Sequence, residues 1–282
     1  MKRYRLSLRL PAGLGLLAGI LTPVFVRPMA AVVTLYPGDD IQAAVNANPE
    51  GTTFVLKAGL YRMQSVKPKN GSVFRGEHGA ILCGARLLTS FTREGAYWVA
   101  TGQTQHGQVN GMVQAGYEGA RYPEDLFFDD QPLRHVLSLP KVGPGTWYFD
   151  YDADKVYFFD DPTGRKVEIG VSRCAFSGTA TKVTIQGLTV EKYAIPAQMG
   201  AIGDQYPPAN WTVQDCETRL NHGTGIRMAD GWKVRWNLIH TNGQMGTGGV
   251  GNDRRHARCI EPSGLSSLGP MMAASGCSCI SP

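Results

Sequence analysis

The chain has 282 residues, 43% of them hydrophobic and 18% charged, with 35 glycines and 17 prolines; that apolar content suffices for a core and excludes wholesale disorder. Its formal charge of +5 suggests a basic protein, yet Lys2, Arg3, Arg5, Arg9 and Arg27 all fall in the first 31 residues, where there is no acid, and the rest carries no net charge. This argues against a nucleic-acid partner, because such a protein carries its basic excess on the folded domain that meets the phosphates.

Residues 1–31 combine a basic start through Arg9, an apolar stretch from Leu10 to Val26 and Pro28-Met29-Ala30-Ala31, the order of a secretory signal peptide. Export to the periplasm, cell surface or medium is the expectation. Pro28 or Met29 stands where cleavage prefers a small residue, so an uncleaved anchor is the alternative. No other segment is apolar for long enough to give a stable membrane span.

Pro37-Gly38-Asp39-Asp40 reads as a helix start with an acidic cap, followed by Ile41, Ala44 and Val45 at helical spacing and stopped by Asn48-Pro49-Glu50-Gly51. Thr53–Leu56 is then a strand, Ala58-Gly59 a turn, and Leu60-Tyr61-Arg62 a second strand. Ile41-Gln42-Ala43-Ala44-Val45, Pro49-Glu50-Gly51 and Phe54 through Tyr61 resemble the opening of pectin-lyase-like right-handed parallel β-helix proteins of the carbohydrate-active type. The resemblance implies an all-β, single-stranded solenoid with an N-terminal capping helix.

About Thr101 to Ser172 the texture changes to aromatics and Asp, which predicts an inserted β subdomain. Within it Thr146–Phe159 reads as a β-hairpin, and similar hairpins occur in an appended β domain of several β-helix carbohydrate enzymes. Beyond it Trp211 and Trp232, Val213 and Val234, Asn221 and Asn242, and Gly225 and Gly246 are each 21 residues apart. That period suits one coil of a solenoid, whose equivalent side chains stack in ladders. Val183–Val190 reads as the preceding coil. The β-helix is thus expected over 32–250. The polar, aperiodic stretch 251–282 is expected to be an irregular tail, from a sequence truncated or altered in frame near residue 250. Cys83, Cys174 and Cys216 read as small buried hydrophobes, and neither they nor Cys259, Cys277 and Cys279 have the spacing of a zinc site.

Stacking Ala201–Asp204 on Gly225–Met228 points Ile202 and Ile226 inward and Arg227 outward, with Asp204 and Asp230 near the strand ends and Lys192, Gln198 and His222 in the turns leading in. Uronate lyases and epimerases of this architecture need a base and a stabiliser of developing charge. Lys192 fits as base or stabiliser, Arg227 as stabiliser and His222 as proton donor. Glycoside hydrolysis instead needs two carboxylates, for which Asp204 and Asp230 are the candidates. Each also has a plain structural reading as a surface or turn residue. Trp147, Tyr148 and Tyr157 offer flat faces to sugar rings or serve as core of the hairpin. Asp150, Asp152, Asp154 and Asp161 are spaced as in a calcium loop, but Lys155 stands where such a loop needs glycine, so Ca²⁺ is left open and no metal ligand is assigned. The expected function is cleavage or modification of an extracellular polysaccharide; the alternatives are a non-catalytic glycan-binding or adhesive surface solenoid, and an inactive fragment of a longer enzyme.

Overall fold

The computed structural model describes residues 31–244, 246–249 and 258–260, and the chain it shows is mostly β. One parallel sheet holds, in spatial order, Val32–Leu35, Thr53–Leu56, Val73–Gly76, Thr184–Gln186, Thr212–Gln214 and Lys233–Arg235. A second holds Arg258–Ile260, Leu238–His240, Glu217–Arg219, Thr189–Glu191, Ala80–Cys83 and Gly59–Arg62. The third consists of Gly200–Ile202, Thr224–Met228 and Thr247–Gly249, prolonged by bridges linking Val66 to Phe176 and Phe176 to Ile202. The chain visits the first, second and third sheets in turn, and each circuit lies in parallel register on the one before.

Side-chain alternation explains why the circuits close. Phe54, Phe74, Ile185, Val213 and Val234 share one register row, and Tyr61, Leu82, Val190, Thr218 and Ile239 another. All of them are buried. Every second residue therefore faces a common interior, and each large aliphatic there contributes roughly 1.5–3 kcal/mol. The corners are made by single residues in the left-handed region. Gly187, Asp215 and Trp236 take positive φ between the first and second sheets, and Lys192, Leu220 and Thr241 do so just after the second. The 21-residue echo seen in the sequence is physical: Trp211 and Trp232 stack with ring centroids 5.1 Å apart.

Buried asparagines tie the turns. Asn237 Oδ1 accepts from the Cys216 N–H at 2.9 Å and its Nδ2 donates to the Val213 carbonyl at 2.9 Å. Asn221 does the same for Tyr193 and Val190, and also donates to Asn242. Asn237→Ala is expected to cost about 1–3 kcal/mol for each backbone group it orphans. Urea denaturation reads the loss; an unchanged midpoint would show that water replaces the amide.

The helix Ile41–Ala47 begins at Asp40, whose carboxylate accepts from the Ala43 N–H at 2.9 Å, and buries Ile41 and Val45 against the same interior. Among the described residues no helix is long and apolar enough to cross a membrane.

The path leaves the circuits after the second-sheet strand Ala80–Cys83. Ala85–Leu88 pairs antiparallel with Val167–Gly170, which pairs with Leu126–Phe128 and so joins Gln131–Pro132 to the sheet. A second inserted sheet orders Arg134–His135, Thr146–Asp150, Lys155–Phe158, Tyr97–Thr101 and Thr92–Glu94. The two enclose a separate core containing Leu126, Phe128, Trp147, Phe149, Phe158 and Ile169. The hairpin pairs Tyr148 with Tyr157 and Asp150 with Lys155. These sheets start at Ala85, earlier than the change of texture near Thr101, because one glycine separates the exit strand from the coil strand and composition does not mark it. At Gly84 a Cβ would come within 2.6 Å of the Tyr193 backbone, so the exit passes where only glycine fits.

Arg258–Ile260 extends the second sheet by pairing with Leu238–His240, inside the stretch expected to be irregular. A backbone ladder does not need the apolar alternation that is missing there. Residues 1–30 of the leader or anchor expected over 1–31, and the rest of the expected tail, lie outside the described residues.

Candidate functional site

The inserted sheets sit over the corner between the second and third sheets, and two of the sequence-predicted residues lie beneath them. Lys192, a left-handed corner residue (φ 57°), has a fully buried side chain. Its ammonium bonds to the Glu168 and Asp130 carboxylates, with Glu191 at 3.9 Å. Glu168 also receives Arg62 Nη2 at 2.6 Å, and Asp130 receives Lys166 at 2.6 Å. Burial pulls the Lys192 pKa down, but Asp130 and Glu168 outweigh it and hold the group above its ordinary value. Burial likewise pushes Glu168 up, and Lys192 followed by Arg62 holds it below the ordinary value. A lysine enclosed and kept charged in this way cannot take a proton from a substrate, which corrects the role of base expected for it.

The charges continue along the outer face of the second sheet. Glu191 meets Arg219 Nε at 2.8 Å, Arg219 Nη1 meets Glu217 at 3.0 Å, and Glu217 meets His240 Nε2 at 2.9 Å. Glu191, Arg219 and His240 share one register row across circuits, and Glu217, two residues before Arg219 on the same strand, bonds to both Arg219 and His240.

His222 is buried on the turn between Glu217–Arg219 and Thr224–Met228. Its Nδ1 lies 3.1 and 3.2 Å from the Asp125 carboxylate oxygens, and its Nε2 lies 3.1 Å from the Ala120 carbonyl. Neither nitrogen is open to a ligand, so the expected role of proton donor is also corrected. Next to Asp125, Glu124 accepts from the Tyr151 hydroxyl at 2.9 Å and from the Gly107 N–H; burial is the main cause of its raised pKa.

The other predicted residues reach the surface on the side of the third sheet. Asp204, in a tight turn where it exchanges backbone hydrogen bonds with Gly200, receives Arg173 Nε at 3.1 Å and Nη2 at 3.0 Å. Arg173 Nη1 also donates to Gln108 Oε1 at 3.3 Å. Two residues on, Asn110 Nδ2 donates to the Ala197 carbonyl at 2.7 Å. Arg227 donates to the Gln198 carbonyl, and the Gln198 N–H donates to Gln244. A polar strip results, with Arg173 linking the inserted segment that carries Gln108 to the loop that carries Asp204. Tyr206, 82% exposed, stands on that loop, and Met112, 74% exposed, on the inserted segment. Asp230 is an exposed turn residue whose carbonyl accepts from Asn210 at 2.9 Å; no contact brings its carboxylate to Asp204.

No family model and no curated protein matches this sequence. Solved structures do. A complex of XylC with xylose superposes with a TM-score of 0.64 over 78% of this chain and 51% of that one, at 17% identity. The chain shares the fold of XylC. It spans about half the length of the XylC chain. A structure described as a glycoside hydrolase is also similar, at 11% identity over 75% of this chain and 66% of that one, with a TM-score of 0.40.

On this XylC-like frame the hairpin aromatics turn out to be packing residues. Trp147 is fully buried and stacks on His135 at 4.1 Å, so it has no face open to a sugar. Tyr157 is buried with its hydroxyl 3.2 Å from Glu94, and Tyr148 lies half-buried across from it, ring centroids 6.1 Å apart. The alternating aspartates serve the turns: Asp150 accepts from the Ala153 N–H at 3.0 Å and Asp161 from the Thr163 N–H at 2.9 Å. Among the described residues no three His, Cys, Asp or Glu are grouped to hold a metal ion. Sequence reasoning missed Arg173, Gln108, Asn110 and Tyr206. Tyr206-Pro207-Pro208, where the prolines forbid a regular ladder, was a signal for Tyr206 alone.

Proposed function

We propose that the chain is an exported, right-handed parallel β-helix protein with an inserted β subdomain, and that it binds a glycan along the polar strip beside the third sheet. The likeness in fold to XylC, a protein solved with xylose, carries this reading. Planar polar groups such as the Arg173 guanidinium, the Asp204 carboxylate and the Gln198 and Gln244 amides suit paired sugar hydroxyls. An exposed aromatic such as Tyr206 suits the apolar face of a pyranose.

The charges favour a neutral sugar over uronate elimination. Of the groups suited to moving a proton, Lys192 is enclosed by carboxylates and His222 is held between the Asp125 carboxylate and the Ala120 carbonyl, and the positive charge of Arg173 is already met by Asp204. The Asp204 carboxylate is likewise held by Arg173, so recognition is the function these residues support best.

Titration calorimetry with xylo-oligosaccharides and a panel of neutral and uronate-containing glycans, with reducing ends followed in parallel, tests this. Binding of a neutral glycan is expected, with Arg173→Ala weakening it roughly 10- to 100-fold, the worth of hydrogen bonds to a charged group. Failure of the wild-type chain to bind any neutral glycan would overturn the reading, and wild-type affinity in Arg173→Ala would remove the strip from it.

A further inference from the structure

We propose that His222 is a proton-dependent latch that seats the 106–125 segment of the insert on the coil, and that the segment releases as the imidazole loses its second proton. The geometry carries this. Both ring nitrogens of a fully buried histidine face acceptors, the Asp125 carboxylate on one side and the Ala120 carbonyl on the other. A neutral imidazole has one N–H, so one of these buried acceptors would lose its partner; the doubly protonated ring satisfies both. The two acceptors belong to the insert, whereas the histidine belongs to the coil, where its own N–H donates to the Tyr193 carbonyl at 3.1 Å.

Several charged or titratable groups surround the latch. On the insert side are Asp125 and Glu124, the latter bonded to the Tyr151 hydroxyl, and His135, whose strand neighbours the 118–121 turn. His135 is buried with neither ring nitrogen bonded. Burial, then the charge of His222, pulls its pKa down to about 3, so it stays neutral and does not compete. On the coil side the flanking Asn221 is uncharged. For His222 burial opposes the charge, but Asp125 followed by Glu124 outweighs it and sets the pKa above 6.5.

The sign follows from that direction. A folded-state pKa above the unfolded value gives stabilisation that is complete below about 6.5 and is lost as pH climbs through the folded value. The latch therefore holds below about 6.5 and opens as pH rises through the folded-state value of His222. The segment it seats carries Gln108 and Asn110, which meet Arg173 and Ala197 at the strip, so opening would withdraw one lip. That effect on sugar binding rests on the function proposed above; the latch itself does not.

Amide hydrogen exchange of the 106–125 segment in the full chain, corrected for intrinsic rates and run from about pH 6 to about 10, is to be paired with ¹⁵N shifts of the His222 ring. The expected result is an imidazolium at pH 6 and protection that falls roughly tenfold or more in step with its titration. His222→Gln should give low protection that no longer responds to pH. Asp125→Asn, which keeps the shape and removes the charge, should move the loss of protection to lower pH. A neutral ring at pH 6, or wild-type protection that stays flat while His222 titrates, would overturn the proposal. If the latch titrates as expected and sugar affinity does not follow it, only the coupling to the strip falls.

Discussion

Glu168→Gln is expected to destabilise the protein by about 3–5 kcal/mol, the usual consequence of removing one partner from a buried ion pair. Glu168 is 2% exposed and stands between the buried ammonium of Lys192 and the guanidinium of Arg62. Neutralising it leaves Lys192 with Asp130 as its directly bonded acid and takes the carboxylate from Arg62. Lys192→Met should be milder, because each acid keeps another cation: Arg62 for Glu168, Lys166 for Asp130 and Arg219 for Glu191. Guanidinium denaturation of the three proteins compares them, and a loss below about 1 kcal/mol in Glu168→Gln would show that water reaches the cluster. The pH dependence has two arms. With the Glu168 pKa lowered, its contribution is present above the ordinary carboxylate value and is lost as pH falls through the folded one. With the Lys192 pKa raised, its contribution is present below the ordinary lysine value and is lost as pH rises through the folded one.

Trp232→Ala is expected to cost a similar 3–5 kcal/mol, as for other large-to-small changes at fully buried aromatics. The ring is fully buried, stacks on Trp211, and donates its Nε1–H to the Pro208 carbonyl. It also lies 3.2 Å from where a Cβ on Gly203 would be, so it supports the loop that carries Asp204 and Tyr206. The substitution should therefore weaken glycan binding as well as stability, and Trp232→Phe should recover part of both. Thermal unfolding together with calorimetric affinity separates these effects. Full affinity in a destabilised Trp232→Ala would mean that the Arg173–Asp204 pair and the backbone bonds between Gly200 and Asp204 hold the loop without the indole.

Local and periodic features were legible in the sequence, while long-range pairings were not. The Asp40 cap, the strand Thr53–Leu56, the tryptophan stack and the Thr146–Phe159 hairpin each depend on neighbours in sequence or on a fixed repeat. Ile202 and Ile226 were correctly turned inward because strand alternation has only two phases. Lys192 and His222 were misjudged because the groups that enclose them, Asp130, Glu168 and Asp125, come from the insert, and no spacing links a coil corner to a strand of a separate sheet. Trp147 was ambiguous for a similar reason: a hairpin presents two faces, and its sequence does not say which one meets the opposing sheet.

The insert also changes how the stack should come apart. In a plain array of stacked repeats each circuit contacts only its neighbours, so stability is nearly a sum of nearest-neighbour steps and the ends can fray one unit at a time. Here an excursion from the circuit of Ala80–Cys83 returns to grip Arg62 in an earlier circuit and Lys192 and His222 in two later ones. Those circuits are braced together like courses of brick behind one buttress, and losing any of them breaks contacts in the others. The stretch from Thr53 to Met228 should accordingly behave as one cooperative unit, with the Val32–Leu35 strand on one side and the Lys233–Gly249 circuit on the other outside the brace and free to open separately.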